Sequence, residues 1–306
     1  MALGEFELIE RFFSAAGTSP FVSLGVGDDA AILSLPDGHS LHVSTDTMVA
    51  GAHYLSDMSA EDVAYRAVMA AASDLAAMGA APLGMLLSLT LPEADGAWIA
   101  RFAEGLRAAA TDTGLALVGG DTTRGPATIG ITVMGSAPAG SPLLRSGARV
   151  GDRVCVSGFT GDAAAGLAIL EGKIHLSAAA ENYLVKRFTR PAARLALGQS
   201  LRGLASAAID ISDGLMADAG HLARASGVAI VIDRATLPQS AALREVIDER
   251  QRTAWMLAGG DDYELLFTLP ANAALPEGCT EVGRVIEGSG VSCDGIETLG
   301  GYDHFA

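Results

Sequence analysis

Residues 25–33 read GVGDDAAIL, and this stretch decides whether the chain has a dinucleotide-binding domain or another fold. Its glycine spacing, G-x-G-x-x-A, is close to the fingerprint that holds a dinucleotide pyrophosphate at a helix N-terminus. However, Asp28 and Asp29 stand where the phosphate oxygens would approach, and the following run AAILSLPDGH is apolar, short and ended by a Pro-Asp-Gly turn. Such a run predicts a strand rather than a helix. The stretch therefore predicts a glycine-hinged loop that presents carboxylates, and it argues against a dinucleotide-binding domain.

The composition is that of a globular α/β or α+β enzyme, and 306 residues are enough for two domains. The chain has 20 basic and 36 acidic residues, a net charge of −16. We therefore expect neither nucleic acid nor a membrane as partner, because both bind clustered basic residues. If the substrate carries phosphates, an acidic chain needs metal ions to neutralise them.

Three features predict a cytoplasmic protein. The three cysteines form no C-x-x-C pair, which indicates reduced thiols. The opening MALGEFELIERFF carries three glutamates and is not expected to be a signal peptide. The most apolar region, residues 68–91, is interrupted by Asp74, Gly79 and Pro82, so it predicts a buried helix, a turn and a buried strand rather than a membrane span.

The sequence predicts two domains, residues 1–147 and 148–306, joined within the Gly-, Pro- and Ser-rich segment PAGSPLLRSGARVGD. In the first domain we expect a helix over 5–16, strands near 29–35 and 41–45, and a long helix that a capping box at Ser59 opens. A strand, an amphipathic helix ending at Gly114 and two further strands follow. In the second domain we expect a strand at RVCVSG, helices to about residue 206, and strands at AAIDIS, VAIVID, YELLFTL and EVGRVIE.

Six short segments place an aspartate beside Gly, Ser or Thr: GDDA, STDT, SDLAAMGA, GGDTTRGP, DISDG and GGDDYEL. A single aspartate of this kind is more often a turn former or a helix cap, because its side chain bonds to local backbone amides. Six of them in one chain favour a shared role.

Asp74 is the most informative of these aspartates. Its helical neighbours three and four positions away are Ala70, Ala71, Ala77 and Met78. A carboxylate on such an apolar face is costly unless a cation or hydrogen-bond donor meets it, and no Lys or Arg lies within two turns. An ion pair with another helix is the alternative, but a metal is favoured. Ligands that are all oxygen select hard cations such as Mg²⁺.

The segment DISDG follows a buried strand. Helix capping would explain Ser212 and Asp213, but not Asp210, which lies at the carboxyl end of the strand where α/β sheets bind ligands. The segment GLAILEGKI resembles a P-loop but has the wrong spacing, and no protein-kinase motif occurs. His53 follows the STDT segment, and a lone histidine is more often structural.

As an ordered set, STDTMVAGAHYL, SDLAAMGA, VGGDTTRGP, RSGA, DISDGL and GGDDYELLF resemble the thiamine-monophosphate kinase family. The similarity runs from GEFELIERFF to the final GYDHFA. This family belongs to the ATP-dependent superfamily of aminoimidazole ribonucleotide synthetase. The resemblance implies a two-domain α+β fold of the α/β sandwich type, with a mixed N-terminal sheet covered by helices and a C-terminal α/β domain. It also implies a homodimer joined through the N-terminal domains, which bind metal and ATP, with active sites in clefts that the C-terminal domains complete.

The resemblance further implies ATP-dependent, Mg²⁺-assisted phosphorylation of thiamine monophosphate to thiamine diphosphate, the last step in making that compound. Its implied metal ligands, several ions in all, are Asp29, Ser44, Thr45, Asp46, Asp74, Asp121, Asp210 and Asp213. The implied ATP contacts are Gly120, Asp121, Arg145 and Ser212. The implied contacts to the thiamine substrate are His53, Asp261 and Tyr302. The chain departs from the family at Asp261, where the motif usually has Glu.

The mechanism that we expect is direct in-line transfer, because the acceptor is already an ionised phosphate oxygen and nothing marks a covalent nucleophile. Three alternatives stay open. A selenophosphate synthetase-like enzyme would carry a reactive cysteine near its N-terminal glycine-rich segment, and this chain has none before Cys155. A non-catalytic thiamine-phosphate binding protein would not need so many candidate metal ligands. A hydrogenase-maturation relative would end in a cysteine-bearing tail, whereas this chain ends YDHFA.

Overall fold

A computed structural model of the chain describes residues 5–14 and 19–293. These residues fall into two compact units. Unit 1 consists of the chain up to Leu75 together with Ala80–Gly140, and unit 2 consists of Ala76–Gly79 and the chain from Ser141 onward. The predicted domain boundary after residue 147, and the division of roles between the domains, stay predictions.

Unit 1 is built on a four-stranded mixed sheet and a two-stranded ribbon. Its elements are α1 Glu5–Phe12, β1 Val22–Leu24, β2 Ile32–Leu33, β3 His39–Val49, α2 Ala60–Ala77, β4 Ala81–Leu91, α3 Gly96–Thr113, β5 Ala116–Arg124 and β6 Thr128–Pro138. The strand order in the larger sheet is β3-β6-β4-β5, with β4 and β5 parallel and the other pairs antiparallel. The last residues of α2 belong to unit 2.

One face of the larger sheet is buried beneath helices and the other is more open. The alternation along β4 and β6 buries the odd-numbered residues, such as Leu87 and Ile131. Helix α2 packs on this face, because a Cβ built on Gly135 would lie 3.0 Å from the Leu75 side chain. On the open face, Leu41 and Val43 of β3 are 49% and 57% exposed.

The start of α2 and the end of α3 agree with the sequence prediction. The Ser59 hydroxyl accepts the N–H of Asp62 at 3.2 Å, which confirms the predicted cap of α2. The Asp95 carboxylate caps α3, and Gly114 ends it with a φ of 77°. The two helices approach closely at Gly105, where a Cβ would lie 2.0 Å from the carbonyl oxygen of Glu61. Only glycine fits there.

Unit 2 contains a six-stranded sheet with the order β12-β9-β11-β7-β10-β8. Its elements are β7 Arg153–Ser157, α4 Asp162–Leu170, α5 Ala178–Thr189, α6 Leu195–Leu201, β8 Ala207–Asp210, α7 Leu215–Ser226, β9 Ala229–Ile232, α8 Glu249–Ala258, β10 Leu265–Leu269, β11 Cys279–Ile286 and β12 Gly290–Cys293. Two short 3-10 helices lie at Arg234–Thr236 and Leu243–Glu245. The pair β12–β9 is parallel and the other pairs are antiparallel. The apolar faces of these strands pack against α7 and α8 in a single core.

The two mixed sheets with helices confirm the predicted α+β class. Several element bounds differ from the prediction. The strand expected over 29–35 is only Ile32–Leu33, because the preceding glycine-rich loop stays irregular. The helix expected over 5–16 ends at Phe12. Helix α8 and strand β12 were not predicted, because α8 has little apolar periodicity and β12 is only four residues long.

Candidate functional site

Three of the predicted metal ligands meet on the helix-covered face of the sheet in unit 1. Ser44 and Asp46 are two residues apart on β3, so their side chains share one face. The Ser44 hydroxyl donates a hydrogen bond of 2.5 Å to Oδ2 of Asp74 on α2. Burial and the neighbouring Asp74 charge raise the pKa of Asp46 to about 6. The structure thus provides the polar neighbours that the apolar surroundings of Asp74 demand.

Thr45 and Asp121 lie on the opposite face of the same sheet. The Thr45 hydroxyl is 3.0 Å from the hydroxyl of Thr132 on β6. Asp121 is exposed and pairs in register with Ser88 of β4, whose side chain also lies on the open face. By contrast, Asp46 pairs with the buried Ile131. The roles of Thr45 and Asp121 as metal ligands stay predictions.

Gly120 lies where β5 passes close to the neighbouring strand β4. Its φ is 155°, and a Cβ there would lie 1.9 Å from the carbonyl oxygen of Leu87. Asp29 lies in the exposed GVGDD loop, where its N–H donates to Oδ1 of Asp28 at 2.8 Å. The preceding Gly27 has a φ of 123°, which agrees with the hinge that the sequence predicts.

His53 is held by the backbone that precedes it. Its ring Nδ1 accepts the backbone N–H of Val49 at 3.1 Å. Its backbone N–H donates to the carbonyl of Val49 at 3.0 Å. Because Nδ1 accepts, the neutral ring carries its proton on Nε2. The bond to Nδ1 therefore restrains the ring and favours the Nε2–H tautomer.

In unit 2 the loop after β8 gathers a second group of carboxylates. Asp210 is buried at the carboxyl end of the strand, as predicted, and Ser212 and Asp213 follow in a half-buried loop. The carboxylate of Asp218 on α7 accepts the N–H groups of Ser212, Asp213 and Gly214, each at 3.1 Å. Burial, Asp210 and Asp213 together raise the pKa of Asp218 to about 8.

Asp218 and His221 were not predicted as site residues. One ligand atom each of Asp213, Asp218 and His221 lies within 4.8 Å of the other two. A signal was present in the sequence, because Asp218 and His221 are three residues apart on α7, close behind the DISDG loop, and so share one helix face.

The GGDDYE segment pairs with the same loop. The N–H of Asp261 donates to the carbonyl of Ser212 at 2.8 Å, and the N–H of Tyr263 donates to that of Ile211 at 2.9 Å. Asp261 and Tyr263 have φ values of 70° and 51°, which non-glycine residues seldom adopt. The Tyr263 hydroxyl donates to Oδ1 of Asp261 at 3.1 Å. The structure therefore brings the predicted substrate contact Asp261 beside the predicted ATP contact Ser212.

Asp262, between these two residues, points into the core. It is 0% exposed, and its carboxylate accepts the N–H groups of Gly161 and Ala163 at 2.6 and 3.1 Å, at the start of α4. Burial raises the pKa of Asp262 to about 8, although the charge of Arg187 acts to lower it.

Glu264 anchors the end of the same segment. It is 1% exposed, accepts the Ser157 hydroxyl at 2.5 Å and pairs with Arg187 at 2.9 Å and with Arg194. The GGDDYE segment is thus fixed at both ends, on one side by backbone bonds and on the other by buried carboxylates.

Two predicted residues remain to be placed. Arg145 is exposed in the segment between the predicted domains, where its carbonyl accepts the Ser226 hydroxyl at 3.1 Å. Tyr302 lies outside the described residues, so its role as a substrate contact stays a prediction.

The donor chemistry of these groups fits a hard cation. Ser44, Asp46 and Asp74 offer only oxygen atoms, and two carboxylates close enough to raise a pKa repel each other unless a positive charge lies between them. In unit 2 the predicted ligands Asp210 and Asp213 lie close enough to Asp218 for their charges to raise its pKa. Mg²⁺ prefers such oxygen ligands. The residues present therefore fit the metal that the resemblance implies.

The fold and the acidic loops define an AIR synthase-related protein. Residues 27–137 match the family model described as AIR synthase related protein, N-terminal domain. The chain is 44% identical over 323 residues to the thiamine-monophosphate kinase of Salmonella typhimurium, covering 100% of this chain and 99% of the relative. The chain belongs to the thiamine-monophosphate kinase family, and the resemblance read from its motifs is confirmed.

Two solved structures agree with this assignment. The crystal structure of thiamine-monophosphate kinase from Stenotrophomonas maltophilia K279a has a TM-score of 0.88 and 41% identity, covering 96% of this chain and 98% of that chain. AaThiL complexed with AMPPCP and TMP has a TM-score of 0.83 and 36% identity, covering 99% of this chain and 97% of that chain. Within residues 5–14 and 19–293, every helix is too short or too polar to span a bilayer.

Proposed function

We propose that this chain transfers the γ-phosphoryl group of ATP to the phosphate of thiamine monophosphate, giving thiamine diphosphate and ADP. The observation that carries the proposal is the complex of the 36% identical AaThiL with AMPPCP and TMP, which aligns with 99% of this chain. The bond from the N–H of Asp261 to the carbonyl of Ser212 supports it, because the two loops assigned to substrate and nucleotide are hydrogen-bonded neighbours.

Each group of residues has its own role in this proposal. Ser212, Gly120, Asp121 and Arg145 bind ATP, and His53, Asp261 and Tyr302 bind thiamine monophosphate. Mg²⁺, when bound, neutralises the charge on the phosphates. The proposed metal ligands are Asp29, Ser44, Thr45, Asp46, Asp74, Asp121, Asp210 and Asp213.

The chemistry needs positioning more than proton transfer. The attacking group is a phosphate oxygen that is already ionised at neutral pH, so a general base is not required. We propose direct in-line displacement, in which the new P–O bond forms as the bond to ADP breaks.

We also propose that the protein is a cytoplasmic homodimer joined through unit 1. Its free cysteines suit a reducing compartment where ATP is plentiful. Leu41 and Val43 side by side on one sheet face are the apolar surface that a second copy would cover. The substitution Val43→Glu should yield monomers in sedimentation velocity. Ile247→Glu in unit 2, at a position 96% exposed, is the matched control and should leave the dimer intact.

The decisive experiment is a turnover assay. The purified protein is mixed with Mg²⁺, ATP and thiamine monophosphate, and ADP and thiamine diphosphate are measured by chromatography. We expect equal amounts of both products. A selenophosphate synthetase-like enzyme would consume ATP only with selenide, and a binding protein would retain thiamine monophosphate without forming ADP. Either result would overturn the proposal.

A further inference from the structure

The carboxylate of Asp218 organises the loop that joins β8 to α7. A single oxygen, Oδ2, accepts three consecutive backbone N–H groups, those of Ser212, Asp213 and Gly214, at 3.1 Å each. The side chain is 2% exposed, so water does not compete for these bonds. Three N–H groups directed at one buried carboxyl oxygen hold the loop backbone in a single conformation.

This arrangement differs from an ordinary helix cap. The residue before α7 is Gly214, which has no side chain to cap the helix and has a φ of 117°. The acceptor oxygen instead comes from Asp218, inside the first turn, and reaches back to residues that precede the helix. Two of the three N–H groups belong to Ser212 and Asp213, which lie outside the helix and carry the proposed nucleotide and metal contacts. What Asp218 fixes is therefore mainly the loop.

We propose that Asp218 is a positioning residue, which sets the backbone of Ser212 and Asp213 for the phosphates of Mg²⁺-bound ATP. This inference rests on the proposed function and deepens it. Asp218 acts through hydrogen bonds to the loop, and it is not itself a ligand to metal or substrate. Its task needs an acceptor oxygen at the Oδ2 position, and an amide oxygen supplies one.

Three variants separate positioning from the other roles. Asp218→Ala removes the acceptor, while Asp218→Asn keeps an oxygen of the same geometry. Asp248→Ala is the matched control, because Asp248 caps α8 in the same unit by accepting the N–H groups of Arg250 and Gln251 at 2.9 and 3.2 Å. It removes a helix-associated carboxylate that lies outside the proposed site.

The first readout is kinetic. We expect Asp218→Ala to raise KM for ATP about 10- to 100-fold, the cost of losing three buried hydrogen bonds, with KM for thiamine monophosphate changed less than about threefold. The KM of Asp218→Asn for ATP should stay within about fivefold of the wild-type value, and the KM of Asp248→Ala should equal the wild-type value. If Asp218→Asn is as impaired as Asp218→Ala, Asp218 is a direct ligand and the proposal is wrong. If Asp218→Ala lowers only the melting temperature, its role is merely structural.

The second readout does not depend on turnover. Hydrogen exchange should show protected amides at Ser212, Asp213 and Gly214 in the wild type and in Asp218→Asn, and fast exchange in Asp218→Ala. Calorimetry should show that the wild type and Asp218→Asn bind Mg²⁺ and AMPPCP with similar affinity and that Asp218→Ala binds them more weakly. If the wild type makes no thiamine diphosphate but the exchange and calorimetry behave as expected, only the proposed function fails. Unchanged exchange in Asp218→Ala overturns the positioning role whatever the activity.

Discussion

The substitution Asp74→Asn tests whether the carboxylate pair of unit 1 serves a cation or the fold. Asparagine is nearly isosteric and keeps an oxygen that can accept the 2.5 Å bond from the Ser44 hydroxyl. The change therefore removes one negative charge and little else. If Asp74 binds the metal, we expect kcat to fall about 100-fold or more, which is a loss of about 3 kcal/mol of transition-state stabilisation.

The same substitution should not destabilise the metal-free protein. The pKa of Asp46 rises from 3.8 to about 6, first through burial and second through the charge of Asp74. A rise of that size corresponds to about 3 kcal/mol against the charged form. The Asp74 charge is the smaller cause and accounts for less than half of this penalty. Removing that charge should therefore raise the free energy of unfolding by at most about 1.5 kcal/mol at pH 8.

The pH dependence gives the sign of the effect. Asp46 has a folded pKa above its unfolded pKa, so the folded state holds the proton more tightly and the penalty is complete only above pH 6. As the pH falls from about 7 towards 4, the penalty disappears, and the advantage of Asp74→Asn over the wild type should disappear with it.

The assay is urea unfolding of both proteins in EDTA at pH 8 and at pH 5, repeated with Mg²⁺ at pH 8. We expect Mg²⁺ to stabilise the wild type and to stabilise Asp74→Asn much less. A variant that loses the same stability with and without Mg²⁺ would show that Asp74 is a structural partner. A kcat within about threefold of the wild type would refute the ligand assignment as well.

Three further predictions concern unit 2 and the transfer step. Asparagine tolerates the left-handed backbone at position 261, so Asp261→Asn tests the side chain alone. It should raise KM for thiamine monophosphate about tenfold, with kcat and KM for ATP little changed. An unchanged KM in initial-rate measurements would show that Asp261 is only a turn residue. Glu264→Gln leaves the guanidinium groups of Arg187 and Arg194 without their carboxylate, so urea unfolding should show a loss of about 3 kcal/mol, and a loss below 1 kcal/mol would contradict the buried pairing. Incubation with γ-labelled ATP alone should leave the denatured polypeptide unlabelled, and a stable label on His53 or any aspartate would exclude direct transfer.

The sequence predicted the local features well, because each has a short-range physical cause. The cap at Ser59 and the left-handed end at Gly114 follow from residues within one helical turn. Asp74 was recognised as needing a partner from its apolar helix face alone. The partner itself, Ser44, is 30 residues away on β3, and only the packing of α2 on the sheet identifies it.

The supporting carboxylates could not be predicted, for the same reason. Asp262 directly follows Asp261, the predicted substrate contact, yet its side chain bonds to N–H groups about 100 residues away at the start of α4. Glu264 finds its guanidinium partners on α5 and just before α6. A sequence pattern records which residues are acidic, but the direction of each side chain depends on the backbone. In this segment the backbone takes a left-handed conformation on both sides of Asp262.

The buried carboxylates of this segment also hold its left-handed backbone in place. Two non-glycine residues with positive φ, Asp261 and Tyr263, cost of order 1 kcal/mol or more each and persist only where the surroundings hold them. The bonds of Asp262 to α4 supply that restraint on one side, and the bond from the N–H of Asp261 to Ser212 supplies it on the other. For a transfer that depends on placing two phosphates in line, an error of about 1 Å costs about 100-fold in rate. The strained turn, its buried anchors and the DISDG loop therefore form one rigid support, and the strain is the cost of holding Asp261 beside Ser212.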